Sequence, residues 1–318
     1  MVTHQSAFLL LTILVTAANA GAHGGGHPAI LGTPTARFWE EALPGIPMPE
    51  AIADIVQKGI DHLPLKEPYS ATKNPLGRAQ AYQQYGKHAH GVPPSGLFFH
   101  EAQVHVGSTM TVFLPPVTTK GSLPRDAEEK LPLGSLEDTF AMFNITPGSA
   151  EAEEVDDTLH GCQERPIPGE QKVCAMSIED VVLAATRMLG ITSTGGVWAA
   201  ASALPSAGLP RQSYVVWRVV GLPGERLVAC HIEAFPYAVY RCHMSERSSR
   251  AYVISLQGFR GGPEVDMAAI CHLDTSDWDP AHPAFKLLHT HPGGAPVCHF
   301  LPYANLVFGE KAPNDAMI

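Results

Sequence analysis

The sequence predicts an α+β fold, with helices in the first half of its domain and antiparallel strands in the second. Two observations carry this. Ser135, Ser149 and Ser177 each head a short helical run, and serine is a preferred helix cap. From Tyr214 onward the chain changes to β-branched and aromatic runs, which suit strands. Gly 29 and Pro 28 in 318 residues make turns frequent and elements short. Helices followed by strands, rather than alternating with them, is the α+β order.

In chain order, Ala7–Val15 (AFLLLTILV) is an apolar run that ends in Thr16-Ala17-Ala18-Asn19-Ala20, where Ala18-Asn19-Ala20 has a small-x-small cleavage pattern. Its length suits a signal-peptide core and is too short to span a bilayer. Residues 1–20 are therefore expected to be a signal peptide, although Met1–Ser6 carries no Lys or Arg. Residues 21–96 read as a variable N-terminal segment. Gly21–Pro28 is a Gly/His-rich tail whose His23 and His27 could bind a stray metal. Glu50–Ile60 is a short amphipathic helix with Ile52, Ile55 and Val56, and His62–Pro94 is a polar linker. The domain is placed at 97–311. Leu97–Phe113 reads as strands around a turn at Gly107. Ser135–Asn144, Ser149–His160 and Ser177–Leu189 are the three helices, the last stopped by Gly190. The strand runs are Tyr214–Val220, Arg226–His231, Tyr237–Met244, Ala251–Gln257, Val265–Cys271 and Val297–Leu301. No internal repeat is present, and no later run reaches the ~18 apolar residues of a membrane span.

Charge narrows the function classes. Lys+Arg is 21 against Asp+Glu 31, a net charge of −10 without a basic run, which disfavours nucleic acid and anionic membrane surfaces as partners. Ser, His and Asp are present, but no nucleophile motif frames them, so a hydrolase finds no support. Glu151–Glu154 reads as a solvated helix face. Secretion makes the six cysteines, Cys162, Cys174, Cys230, Cys242, Cys271 and Cys298, candidates for disulfides rather than thiolate metal sites. It also makes Asn144-Ile145-Thr146 an N-glycosylation sequon, at Asn144, with Pro147 directly after it.

Cys is followed by His four times, at Cys230-His231, Cys242-His243, Cys271-His272 and Cys298-His299, with ten, 27 and 25 residues between successive pairs. Adjacent residues on a strand point to opposite faces, so each pair sends a sulfur one way and an imidazole the other. A hairpin centred on Pro236 would set Cys230 opposite Cys242, where they could form a disulfide. His231 and His243 would then be diagonal neighbours about 7–8 Å apart at Cα, close enough to share a metal. His272 and His299 could complete the site. An all-imidazole set suits copper, with zinc the competitor. The alternative is that the histidines hydrogen-bond in the interior. Cys162 and Cys174 flank a segment with Pro166, Pro168 and Gly169, where a local disulfide is plausible, but six cysteines allow 15 connectivities.

These residues resemble the plant BURP-domain family. The four spaced Cys-His pairs are its defining pattern. The likeness runs from Leu97-Phe98-Phe99 through Phe113-Leu114-Pro115 and Leu123-Pro124-Arg125. It continues through Glu151-Ala152-Glu153, Thr158-Leu159 with Cys162, and Gly169-Glu170 with Lys172 and Cys174. It closes on His272-Leu273-Asp274-Thr275-Ser276 with Trp278, and Pro296-Val297-Cys298-His299. The Tyr-Arg-Cys-His run, Phe38-Trp39 and Pro292-Gly293-Gly294 are similar to the monocot RAFTIN-like group, associated with anthers and pollen coat. The resemblance implies a secreted apoplast or cell-wall protein acting in reproductive development or stress, with wall or anther-surface components as partners. It also implies a second possibility, a copper-dependent autocatalytic peptide cyclase. Copper would then be held by His231, His243, His272 and His299, and the protein's own N-terminal segment would be the substrate, at Gln80-Ala81-Tyr82-Gln83-Gln84-Tyr85.

Overall fold

The computed structural model describes residues 30–61, 96–117, 119–123, 125, 135–193, 195–262 and 264–311. The expected signal peptide, the Gly/His tail, the polar linker and its Gln80–Tyr85 segment lie outside the described residues.

Six α-helices are described: α1 (Pro34–Ala42), α2 (Glu50–Asp61), α3 (Leu136–Phe143), α4 (Ala150–Gln163), α5 (Ile178–Leu189) and α6 (Pro283–Leu288). Their starts follow the serine signals. Ser135, Ser149 and Ser177 each accept the backbone N–H three residues on, from Asp138, Ala152 and Asp180, at 3.2 Å. Gly190 stops α5 at φ 72, where a side chain would be strained. Helix α1 opens on Thr33, with Pro34 in its first turn.

Eleven strands make two antiparallel sheets. They are β1 (Phe98–His100), β2 (Thr109–Leu114), β3 (Glu170–Ala175), β4 (Val197–Ala200), β5 (Leu209–Leu222), β6 (Leu227–Glu233), β7 (Val239–Ser245), β8 (Ser249–Gly258), β9 (Val265–His272), β10 (Val297–Phe300) and β11 (Leu306–Glu310). The first sheet runs β1-β10-β9-β8-β5-β2 and the second β3-β7-β6-β11-β4. Gly107 does sit in a turn, at φ 88. The strands on either side of it are nevertheless not partners, for β1 and β2 are opposite edges of the six-stranded sheet. A short connection reaches from edge to edge because the sheet curls on itself. Glu101, just past β1, accepts from Arg250 at 2.9 Å and Tyr252 at 2.8 Å on β8, three strands away in the order.

Strand alternation on β6 and β9 sorts their residues into three of the four cores among the described residues. On β6, Val228, Cys230 and Ile232 face helices α1, α2 and α5, in a core with Trp39, Leu43, Ile52, Ile55 and Val181. On β9, Met267, Ala269 and Cys271 face the hollow of the curled sheet with Phe99, Tyr214, Cys298 and Phe300. The other faces meet each other: Leu227 and Ala229 of β6 pack on Ala268 and Ile270 of β9, with Trp198, Leu301 and Val307. The next residues along these faces are His231 and His272, so imidazoles emerge where the sheet-to-sheet packing ends. No helix among the described residues is long and apolar enough to cross a membrane.

Helices α1 and α2 are integral to the first core. Trp39 is 1% exposed, and its Nε1–H donates to the Ile46 carbonyl at 2.9 Å. Replacing Trp39 by Ala is expected to destabilise the protein by about 3–5 kcal/mol, read as a lowered urea midpoint. An unchanged midpoint would show that these helices do not bear on the core.

Candidate metal centre

The cysteines form three disulfides. Cys162–Cys174 ties the end of α4 to β3, with Cα atoms 5.6 Å apart. Cys230–Cys242 and Cys271–Cys298 each join directly opposed residues, on β6–β7 and β9–β10, with Cα atoms 4.0 and 3.9 Å apart. Their sulfurs lie in two different cores. The imidazole one residue on from each cysteine therefore takes the opposite face, and the second sheet contributes His231 and His243, the first His272 and His299.

All four rings meet. His231 Nε2 lies 3.2 Å from His243 Nε2, and His272 Nε2 lies 3.4 Å from His299 Nε2. The pairs lie side by side, with ring centroids 5.6 Å apart for His231–His299 and 6.3 Å for His243–His272. The two nitrogen separations are close to the edge of a tetrahedral site, about 3.3 Å for metal–nitrogen bonds of about 2.0 Å. The four nitrogens do not yet surround one point, however. Among the described residues no group of three or more His, Cys, Asp or Glu has the arrangement of a formed metal site.

Partners on the far side of the rings set the tautomers. Asn305 donates its amide to the Pro302 and Tyr303 carbonyls, at 3.1 and 3.2 Å, which leaves its Oδ1 to accept His231 Nδ1–H at 3.0 Å. Glu170 accepts His243 Nδ1–H at 2.7 Å, and the Phe300 carbonyl accepts His299 Nδ1–H at 3.2 Å. A neutral imidazole with its proton on Nδ1 has a bare Nε2. His231 and His299 thus turn lone pairs inward, and His243 does so in its neutral form. His272 is fixed instead by Trp278, packed edge-on at 5.0 Å.

Burial keeps these rings uncharged. His231, His272 and His299 are 2%, 7% and 3% exposed. Burial, reinforced by the neighbouring histidines, holds His231 and His272 well below the ordinary histidine range. Burial is also what brings His299 down to about 4, against the contrary pull of the Phe300 carbonyl. For Glu170, burial acts to raise the carboxyl, but the His243 hydrogen bond and the charges of His243 and Arg241 outweigh it and hold it below its usual range.

The rings form the floor of an open cleft of about 260 Å³. One side is lined by residues 164–165 and 167–170, Lys172 and Arg241, and the other by Phe98, Trp278 and His282. Arg241 is held by Glu233 at 2.8 Å, and Arg247 at the mouth pairs with Asp274 and Asp277, each at 3.0 Å. Asn144 lies away from the cleft. It is exposed, with φ 51 at the end of α3, so its side chain is open to modification.

Sequence reading missed Glu170 and Asn305 as orienting groups. Glu170 lies 73 residues from His243 and Asn305 lies 74 from His231, separations that no local pattern bridges.

Fold and site together define a class: a disulfide-braced α+β domain whose Cys-His dipeptides send sulfur into the cores and imidazole into one cleft. The chain belongs to the BURP-domain family, which its residues 97–310 match. It is 40% identical over 248 residues to wheat (Triticum aestivum) Protein RAFTIN 1B, an overlap of 76% of this chain and 67% of that protein. It is 41% identical over 226 residues to BURP domain-containing protein 13 of rice (Oryza sativa subsp. japonica), covering 69% of this chain and 54% of that one. Rice BURP domain-containing protein 5 is 35% identical over 309 residues, 92% of this chain and 90% of its own. The chain thus spans about half the length of some relatives and nearly all of another.

The buried histidines make stability depend on pH. Their folded pKa values lie below the unfolded value near 6.5, so the unfolded chain binds more protons as pH falls, and stability drops with it. Glu170 acts lower: its contribution is present above the unfolded carboxylate range and is lost as pH falls through its depressed folded value. The urea midpoint of metal-free protein is expected to decline from about pH 6.5 toward 4, at up to about 1.4 kcal/mol per unit for each buried histidine. His299→Phe should make the decline shallower. A midpoint that stays level between pH 6.5 and 5 would show that the rings protonate freely in the folded state.

Proposed function

We propose that this is a secreted protein of the plant apoplast or cell wall that binds one copper ion at His231, His243, His272 and His299 and acts in reproductive development. The observation that carries the metal reading is the His231–His243 contact. Asn305 and Glu170 claim the outer protons of both rings, so with His243 neutral two bare nitrogens face each other at 3.2 Å. That contact needs a cation between the nitrogens or an added proton on His243. Histidines kept only to fill hydrogen bonds in the interior would adopt complementary tautomers. Imidazole nitrogens without thiolate suit copper, and a shared ion would draw the two pairs together.

Secretion is supported by the apolar run Ala7–Val15, by the complete pairing of the six cysteines and by the exposed sequon at Asn144. The anther surface or pollen coat as the place of action is what the RAFTIN-like resemblance implies, and the similarity to the wheat RAFTIN proteins accords with that resemblance.

A second reading is favoured by the position of the four rings on the floor of an open cleft rather than in a sealed interior. Copper held there would supply one-electron oxidation of a phenol, the chemistry of a peptide cyclase acting on Tyr82 or Tyr85. The chain's own parts in this are plain: four histidines to hold the ion, Glu170 and Asn305 to orient two of them, and cleft walls to seat a peptide.

Protein recovered from an oxidising secretory host is expected to bind one copper per chain. Affinity should fall at least ten- to a hundredfold in Glu170→Ala or Asn305→Ala, by the usual cost of losing a group that orients a ligand, and further in a single histidine variant. Metal content and Cu(II) titration measure this. Absence of copper binding, or equal affinity in the histidine variants, would sink the metal reading. Loss of two hydrogens within Gln80–Lys87 on adding copper in air, with dioxygen taking the two electrons and two protons as hydrogen peroxide, would identify the cyclase, and an unchanged mass would leave the ion a structural or intermolecular role.

A further inference from the structure

A fifth histidine borders the same cleft with the opposite polarity. His282 caps α6, and its Nδ1 accepts the Ala284 backbone N–H at 3.3 Å. A neutral ring whose Nδ1 accepts carries its proton on Nε2. The described residues offer that Nε2–H no acceptor, and His282 lines the cleft. The ring is gripped by Trp278, Phe98 and Phe285, with centroids 4.7, 5.8 and 6.0 Å away. This grip joins it to the metal centre, because Trp278 also packs on His272 at 5.0 Å and Phe98 on His299 at 6.2 Å. Burial lowers the His282 pKa to about 4, so the ring is a neutral donor over the range in which a wall protein works.

The floor of the cleft thus presents acceptor nitrogens, and its aromatic wall presents one N–H donor. A ligand that satisfies both carries an aromatic ring, to lie against Phe98 and Trp278, and an oxygen on that ring, to accept from His282 while facing the floor. We infer that His282 is the residue that orients a phenol side chain in this cleft, through a hydrogen bond from its Nε2–H to the phenol oxygen. This rests on the cleft being a site for a phenol-bearing peptide, but not on the identity or presence of the metal.

The test uses the full chain, metal-free and copper-loaded, titrated with N-acetyltyrosinamide and with N-acetylphenylalaninamide, which lacks the oxygen. The wild type is expected to favour the tyrosine probe by about tenfold, the worth of one well-placed hydrogen bond. His282→Phe keeps an aromatic ring in the wall and should equalise the two probes, with copper content and the Cu(II) EPR spectrum unchanged. His282→Gln keeps a donor and should recover part of the preference, and it carries the test if His282→Phe does not fold. A preference that survives in His282→Phe, or a wild type with no preference, overturns the inference. So does loss of a nitrogen ligand from the EPR spectrum of His282→Phe, since His282 would then be a metal ligand. If the wild type binds no copper, the metal reading fails by itself, while the probe titrations of metal-free protein still decide the role of His282.

Discussion

The geometry of the cleft depends on two cross-strand disulfides. Cys230–Cys242 and Cys271–Cys298 join residues directly opposed in register, so neither strand pair can slip without breaking a covalent bond. A slip of one residue would turn every imidazole to the wrong face. Because the strand period is two, fixing the sulfurs on one face fixes the histidines on the other. The shorter of these loops spans 12 residues, and constraining such a loop in the unfolded chain is worth about 3 kcal/mol in the loop-entropy picture. The covalent links therefore both stabilise the sheets and aim the site.

Packing converts two separately aimed pairs into one centre. The sheets meet through Leu227, Ala229, Ala268 and Ile270, small and medium side chains that let the strands approach closely. His231 and His272 continue those rows just past the contact. Helices α1, α2 and α5 hold the second sheet from its far side through Trp39, Ile55 and Val181. The centre thus inherits its rigidity from cores that lie on both sides of it. Helices α1 and α2 precede residues 97–310, so the support for a site within the family's domain comes in part from outside it.

Much of this was legible in local pattern. Serine caps marked the helix starts at Ser135 and Ser177, and the acidic run from Ser149 marked the one between them. The symmetric spacing of Cys230 and Cys242 about Pro236 contained the hairpin register, because a cross-strand pair must be equidistant from its turn. Other features had no local signal. Gly107 announces a turn, but only the curl of the whole sheet decides that β1 and β2 become opposite edges. Strands β3, β4 and β11 are short and owe their form to neighbours. Strand β11 in particular is a strand because it fills the space between β4 and β6. Helix α1 did carry a local signal, the Thr33-Pro34 start, which the sequence reading passed over. Glu170 and Asn305 reach their histidines only after both sheets have assembled.

What separates a working site from a structural cluster here is the direction of the protons. A buried polar group costs free energy unless paired, so an interior filled for stability matches donors to acceptors. The fold instead spends Asn305, Glu170 and the Phe300 carbonyl on the outer nitrogens of three rings, and leaves the inner nitrogens facing one another. It holds that conflict in place with covalent links and with cores on either side. Local rules broken at one place and compensated around it are what the proposed centre would be expected to show. The same accounting explains why His282 differs: its Nδ1 accepts a backbone N–H, so its proton sits on Nε2 of a ring that lines the cleft. The cleft thus gathers imidazole acceptors and one donor around a single opening.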